Sequence, residues 1–474
     1  MSAELAFRMG LRSLEREIVE PVELAVEGQI PAELRGTLYR MGPARWDIYG
    51  DRLRHWFDGD GMVHALEVHG GGVRYRCRFV QQSAHVAEDR ARRRLFGSFG
   101  TSAPGGRLRR FLWRKRRRNP ANTHVIAHAG GLYALCEGGR PWRLDPADLA
   151  TLGEETLGGL LPEPITTFTA HPRRDPATGD LWGFGVQFGR VPRLHLYRWP
   201  GAGAATKAAI VDLPMPALIH DFGLSERYAV VVATPMVVPT IPFALMFGQS
   251  SYAENLSYRP ERGAQVGLID RASGEAIWCP TEPFLAFHVV NAYDEGDEVV
   301  VDVCAYRSPA LLEVFYAVMA GPMPTVDAEI WRLRVDRRSR AVRREVLLPR
   351  SFEFPRVLDE RVGRRHRWIA GLTWQGAAAI PRVPAMVDVD TGTMIEAPLP
   401  AEAWAGELVP VRKVGGEGER DVWLLSVVLD TRAGASELQI FDGAALEAGP
   451  IARARLPHVM PLGFHGSWVA DGTL

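Results

Sequence analysis

"FTAHPRRDPATGDLWGFGVQFG", residues 168–189, sets an apolar run, a lone histidine, a tight turn and a second apolar run in one unbroken stretch. The turn "DPATG" (175–179) has Asp and Gly at its ends, which supply side-chain-to-backbone bonds and positive φ. The same chemistry returns in "DRASG" (270–274) and "DTG" (390–392). Between such turns lie short alternating or apolar runs: "GGVRYRCRFV", "RYAVVVAT", "DEVVVDVCAY", "EIWRLRVD", "VWLLSVVLD" and "SELQIFD". Helical periodicity is scarce. Many short strands with regular turns, and no Pro/Ser-rich linker, predict one all-β domain over residues 1–474, with residues 1–20 as an N-terminal extension. A sandwich rarely reaches this length, whereas a β-propeller grows by adding blades radially. No WD or kelch signature marks the blades, so their number does not follow from the residues. Seven would take roughly 68 residues each, more than the ~40–50 of standard repeats. The surplus would be loops gathered over one face.

Composition narrows the function. The chain has 474 residues, 46% of them hydrophobic, and 56 basic residues cancel 56 acidic ones. That balance suits a soluble globular protein and speaks against a dedicated nucleic-acid binder, which carries a basic excess. Cys77, Cys136, Cys279 and Cys304 are scattered without a CxxC pair, so neither a zinc framework nor a disulfide scaffold is written here. The start, "MSAELAFRMGLRSLEREIVEP", lacks the apolar core of a signal peptide, and a reducing cytoplasm is the expected location. "AVVVATPMVVPTIPFALMFG" (229–248) is uncharged and long enough to cross a bilayer. Pro235, Pro239 and Pro242 oppose a spanning helix, because each removes a backbone donor. A strand over Tyr228–Thr234 running into an apolar loop fits better. Such a loop, if exposed, seeks a partner, an apolar substrate or a membrane surface.

Of 13 histidines, four share a context in which an apolar run meets a polar or small residue. They are His171 ("FTAHP"), His220 ("ALIHDFG"), His288 ("LAFHVVNA") and His465 ("LGFHGSW"). His69, His85, His195 and His366 lie among charged or turn residues and read as surface. His55 and His64 flank "WFDGDGMV" and read as structural. Wide spacing rules out a local zinc-finger loop but allows different blades to send one imidazole each to a common axis. Four neutral imidazoles suit Fe(II), Cu, Zn or Ni. The plain alternative for each is a satisfied core histidine. Ligating imidazoles need their second nitrogen held, commonly by a carboxylate. Glu137 ("LYALCE"), Glu353 ("SFEFP") and Glu407 ("WAGELVP") sit in equally apolar contexts, where an unpaired carboxylate is costly to bury.

These residues fall within ordered motifs that span nearly the whole chain. They include "LRGTLYRMGP" (34–43), "HWFDGDGMVHAL" (55–66), "NPANT" (119–123), "LYALCEGGRPWRLD" (132–145), "IHDFGLSERY" (219–228), "FHVVNAYDEGD" (287–297), "EFPR" (353–356), "GELVPV" (406–411) and "PLGFHGSWV" (461–469). In them the sequence resembles the carotenoid cleavage oxygenases, non-haem iron enzymes that split a polyene double bond with O2. The resemblance implies a seven-bladed propeller with loops and short helices domed over one iron. It implies His171, His220, His288 and His465 as Fe2+ ligands, with Glu137, Glu353 and Glu407 each bonding one ligand. Thr123 matches a threonine beside the open metal position. Two carbonyl products and no reducing cosubstrate would follow. Phe287, Tyr306 and Phe354 stand next to ligand motifs and are candidates to line the substrate tunnel and stabilise developing positive charge.

The resemblance also bears on the substrate. Members that cleave phenolic stilbenes hold the phenol with a Tyr and a Lys, where this chain has Phe99 and Cys136. Neither can activate a phenol, so the chain looks closer to bacterial apocarotenoid oxygenases, which give retinal-type aldehydes from apocarotenals or apocarotenols. Pro242, Phe243, Leu245, Met246 and Phe247, with "SPALLEVFYAVMAGP" (308–322), would form a tunnel mouth that dips into a membrane. "RLRRFLWRKRRR" (107–118) sets Phe111, Leu112 and Trp113 among eight basic residues, a pattern suited to anionic headgroups, so peripheral contact with the inner membrane face is expected. No nucleic-acid or protein partner is implied. The competing readings are the same chemistry on a stilbene or phenylpropene, and a non-catalytic lipid-binding propeller.

Overall fold

The computed structural model describes residues 3–113, 118–161, 167–239, 244, 247–324, 326–375 and 380–473, with side chains from residue 6 onward except that of Trp113. Its strands form seven blade sheets, each a run of antiparallel neighbours. Blade 1 runs inward from Ile18–Glu23 through Gly72–Phe79, Asp60–His69 and Gly36–Arg45 to Gly466–Ala470. Blades 2 to 6 have innermost strands His124–His128, Arg173–Arg174, Phe222–Leu224, Leu285–Glu295 and Phe352–Arg356. Blade 7 ends inward at Ala403–Ala405 and Val409–Arg412.

Both chain ends close the ring. Ala25–Gly28 is the outer strand of blade 7, whereas Gly466–Ala470 is the inner strand of blade 1. This exchange leaves no free edge at the seam. The approach of the last strand is close enough to require glycine: a Cβ on Gly466 would lie 2.3 Å from the Tyr39 carbonyl oxygen, and one on Gly42 would lie 2.4 Å from Gly463 Cα. His465 is thus carried in on glycine-permitted backbone, held by Met41 N–H to its carbonyl at 2.9 Å.

The predicted turns join adjacent strands as expected. Asp175 Oδ1 accepts from Ala177 N and Asp270 Oδ1 from Ala272 N and Ser273 N, while Gly179, Gly274 and Gly392 take φ of +76°, +76° and +68°. Valine-rich runs such as Tyr228–Ala233 are buried on both faces, because every sheet is pressed between two neighbours. The predicted strand at 228–234 ends at Ala233.

One expectation changes. His85, His195 and His366 are buried, not on the surface, each set beside a polar side chain from another segment. His85 Nδ1 meets Asp60 at 3.0 Å, His195 Nε2 meets Gln187 at 3.0 Å, and His366 Nε2 lies 3.2 Å from Asp302. The apolar segment at 308–322 contains a helix, Leu311–Ala320, that packs Leu311, Val314 and Val318 into the core. Arg8 closes that helix by donating to the carbonyls of Ala317, Val318 and Gly321.

Candidate metal centre

Each innermost strand begins at or beside a polar residue turned toward the axis. His465 precedes the strand of blade 1, His124 opens that of blade 2, and His171 and His220 precede those of blades 3 and 4. His288 and Glu353 lie within those of blades 5 and 6, and Glu407 precedes Val409–Arg412 of blade 7. Strands normally alternate faces, so adjacent residues point apart. Irregular pairing between Ala286 and Val289, and between Glu353 and Arg356, breaks that alternation. Phe287 and His288 therefore both reach the site, as do Glu353 and Phe354. Phe354 takes a left-handed φ of +53°, and its N–H donates to Glu353 at 2.8 Å.

His171, His220, His288 and His465 are all buried, and their ligand nitrogens lie within 4.8 Å of one another. Three are held from behind. His220 Nδ1 meets Glu137 at 2.8 Å, His288 Nδ1 meets Glu353 at 2.5 Å, and His465 Nδ1 meets Glu407 at 2.8 Å. A carboxylate accepting from Nδ1–H fixes the tautomer that leaves Nε2 as a bare lone pair. His171 Nε2 and His220 Nε2 face each other at 2.9 Å, and among the described residues His288 Nε2 is buried without a hydrogen-bond partner. The Nε2 atoms of His220, His288 and His465, turned inward beside His171 Nε2, make a set of imidazole donors that fits a divalent transition metal.

Electrostatics keep this donor set in order. Burial, then the neighbouring imidazoles, hold His171 well below the ordinary histidine value. His465 is also well below it, burial outweighing Glu407. Burial would lower His288 too, but the Glu353 carboxylate reverses the direction. Burial alone would raise all three glutamates, yet their partners bring each below the ordinary carboxylate range. Glu407 is the most strongly held: Arg40 and the Gly466 N–H donate to it at 2.7 and 2.9 Å, and Arg356 lies at 3.5 Å. Tyr306 is engaged as a donor to Glu353 at 2.6 Å.

A cavity of about 1090 Å³ opens onto His220, His288 and His465. Phe99, Thr123, Cys136, Phe287, Tyr306 and Phe354 all line it. Phe287 lies 4.3 Å from the His220 ring, and Phe354 lies 5.5 and 5.4 Å from His288 and His465. Burial and the neighbouring Glu137 push the Cys136 thiol up to about 12, so it stays protonated. Of the residues expected at a membrane, Pro242, Phe243, Leu245 and Met246 lie outside the described residues, as does the side chain of Trp113. Leu112 and Phe247 are exposed, and Phe111 stacks on Phe247 at 5.6 Å. Among the described residues no helix is long and apolar enough to cross a membrane.

The site also contains residues that sequence reading passed over. Arg40 and Arg356 are basic residues set inside apolar strands, a visible signal. His124 opens an apolar run as the four ligands do, and its ring lies 5.6 Å from His465. Phe57 and Phe315 line the cavity 4.5 Å apart and carried no signal beyond apolarity.

Residues 11–470 match the family model described as retinal pigment epithelial membrane protein. The chain is 33% identical over 455 residues to an apocarotenoid-15,15'-oxygenase of Synechocystis sp., covering 94% of this chain and 92% of that one. It is 28% identical over 472 residues, 94% of each chain, to an isoeugenol monooxygenase of Pseudomonas nitroreducens. Among solved structures, cobalt-substituted Synechocystis apocarotenoid oxygenase superimposes with a TM-score of 0.91 at 31% identity over 98% of both chains.

Proposed function

The chain belongs to the carotenoid cleavage oxygenase family, and on that premise we propose that it is a non-haem Fe(II) dioxygenase that cleaves a C=C bond of an apocarotenoid. Its products would be two carbonyl compounds, such as retinal-type aldehydes. The carrying observation is the set of four converging imidazoles at the wall of a largely apolar cavity. Fe(II) held by His171, His220, His288 and His465 supplies the binding and activation of O2. The chain's own groups do the rest. Glu137, Glu353 and Glu407 orient the imidazoles, and Thr123 crowds the approach to them. Phe287 and Phe354 exclude water and offer ring faces to positive charge developing on the polyene.

An apocarotenoid is favoured over a phenolic alkene because Phe99 has no hydroxyl and Cys136 stays protonated, so neither ionises a phenol. The likeness to isoeugenol monooxygenase makes a phenylpropene the second reading. Peripheral membrane contact is supported by exposed Leu108, Leu112 and Phe247 beside Arg107, Arg109 and Arg110. The test is anaerobic Fe(II) loading followed by a panel of apocarotenals, carotenes, stilbenes and isoeugenol in air. Cleavage of apocarotenals is expected; turnover of stilbenes or isoeugenol alone would contradict the substrate assignment.

A further inference from the structure

Three ligand histidines have a carboxylate behind them. Among the described residues none reaches His171. Its neighbourhood is instead tied by a partly buried ion pair. Arg173, two residues on, donates through Nε to the Phe222 carbonyl at 2.9 Å. Its terminal nitrogen donates to Asp221 at 2.7 Å and to the Val289 carbonyl at 2.5 Å. Asp221 in turn accepts from Phe222 N at 2.7 Å and Val289 N at 2.8 Å. Asp221 follows His220 and Val289 follows His288, so one guanidinium–carboxylate pair links the backbone beside three ligands on three successive blades. His124 closes the other side: its Nδ1 meets the Ala170 carbonyl at 2.9 Å, and Ser467 Oγ lies 3.3 Å from its Nε2. Burial holds His124 down at about 4, so it is neutral and donates to one of the two carbonyls its nitrogens face, Ala170 at 2.9 Å or Gly466 at 3.2 Å.

The geometry points to Arg173 and Asp221, seconded by His124, as positioning residues that fix His171 through its backbone where no carboxylate fixes its ring. The inference rests on the metal reading of the four histidines. Charge-assisted hydrogen bonds are short and directional, so losing one partner lets the ligand-bearing strand ends move independently. Groups that orient ligands without touching metal commonly change metal affinity 10–100-fold.

The test uses the full chain stripped of metal and titrated anaerobically with Co(II) against a chelator of known affinity. Visible Co(II) absorption and the thermal midpoint of the metal-free protein are recorded alongside. Asp221→Asn is expected to weaken Co(II) binding about tenfold or more and to alter the absorption. Asp302→Asn breaks a buried pair with Arg332 (2.8 Å on both arms) that touches none of the four ligand histidines. It should lower the midpoint and leave Co(II) affinity within about twofold. If Asp221→Asn does not fold, Arg173→Lys gives the same reading, since lysine keeps the charge but cannot span Asp221 and both carbonyls. His124→Phe, which keeps a ring and loses both bonds, should act in the same direction. Wild-type affinity and absorption in Asp221→Asn or Arg173→Lys would overturn the proposal, as would an equal loss in Asp302→Asn. Failure of the unmodified chain to bind Co(II) would sink the metal reading itself.

Discussion

Glu353 shows what a single carboxylate does here. Its Oε2 accepts from His288 Nδ1 and from the Phe354 N–H, and its Oε1 accepts from Tyr306. Every lone pair with a neighbour is used, so the charge is stable although buried. Glu353→Gln keeps the shape but turns one acceptor into a donor, opposing either Tyr306 or His288. Metal affinity should fall about 10–100-fold, read by anaerobic chelator competition. An unchanged affinity would mean that Glu353 does not orient His288. Arg40 poses the complementary case. Arg40→Met removes the 2.7 Å cationic partner of Glu407 and leaves Arg356 at 3.5 Å, and should destabilise the fold by about 3 kcal/mol in denaturant unfolding.

At the scale of the strand, the C-terminal segment joins stability to chemistry. Gly466–Ala470 pairs with Gly36–Arg45 and brings His465 to the axis in the same move. Removing residues 465–474 should therefore abolish both cooperative thermal unfolding and metal binding. His465→Ala should keep the cooperative transition while its iron falls below about half an equivalent per chain. Retained stoichiometric iron in His465→Ala would remove that residue from the ligand set. Strands and Asp–Gly turns were legible because both are local: alternation, β-branching and positive φ reside in a few consecutive residues. The bulges that turn Phe287 with His288, and Glu353 with Phe354, were not, because they arise from pairing with strands elsewhere.

Over the whole molecule, closure decides what a sequence can disclose. The four histidines stand 49, 68 and 177 residues apart, and only the ring makes them neighbours. Their context marked them individually, and the glutamates were found because buried charge demands a partner. His124 escaped because it shares the ligands' strand position while turning onto two backbone oxygens. Arg40 and Arg356 escaped because their partner, Glu407, lies far along the chain. The same ring places oxygen chemistry and an apolar cavity in one enclosure, and one experiment reads both. Cleavage of an apocarotenal by the Fe(II)-loaded chain under 18O-labelled dioxygen, followed by rapid mass analysis of both fragments, should put one labelled oxygen in each carbonyl product. Label confined to one fragment, or no cleavage by protein carrying a full equivalent of iron, would contradict a dioxygenase built on these four histidines.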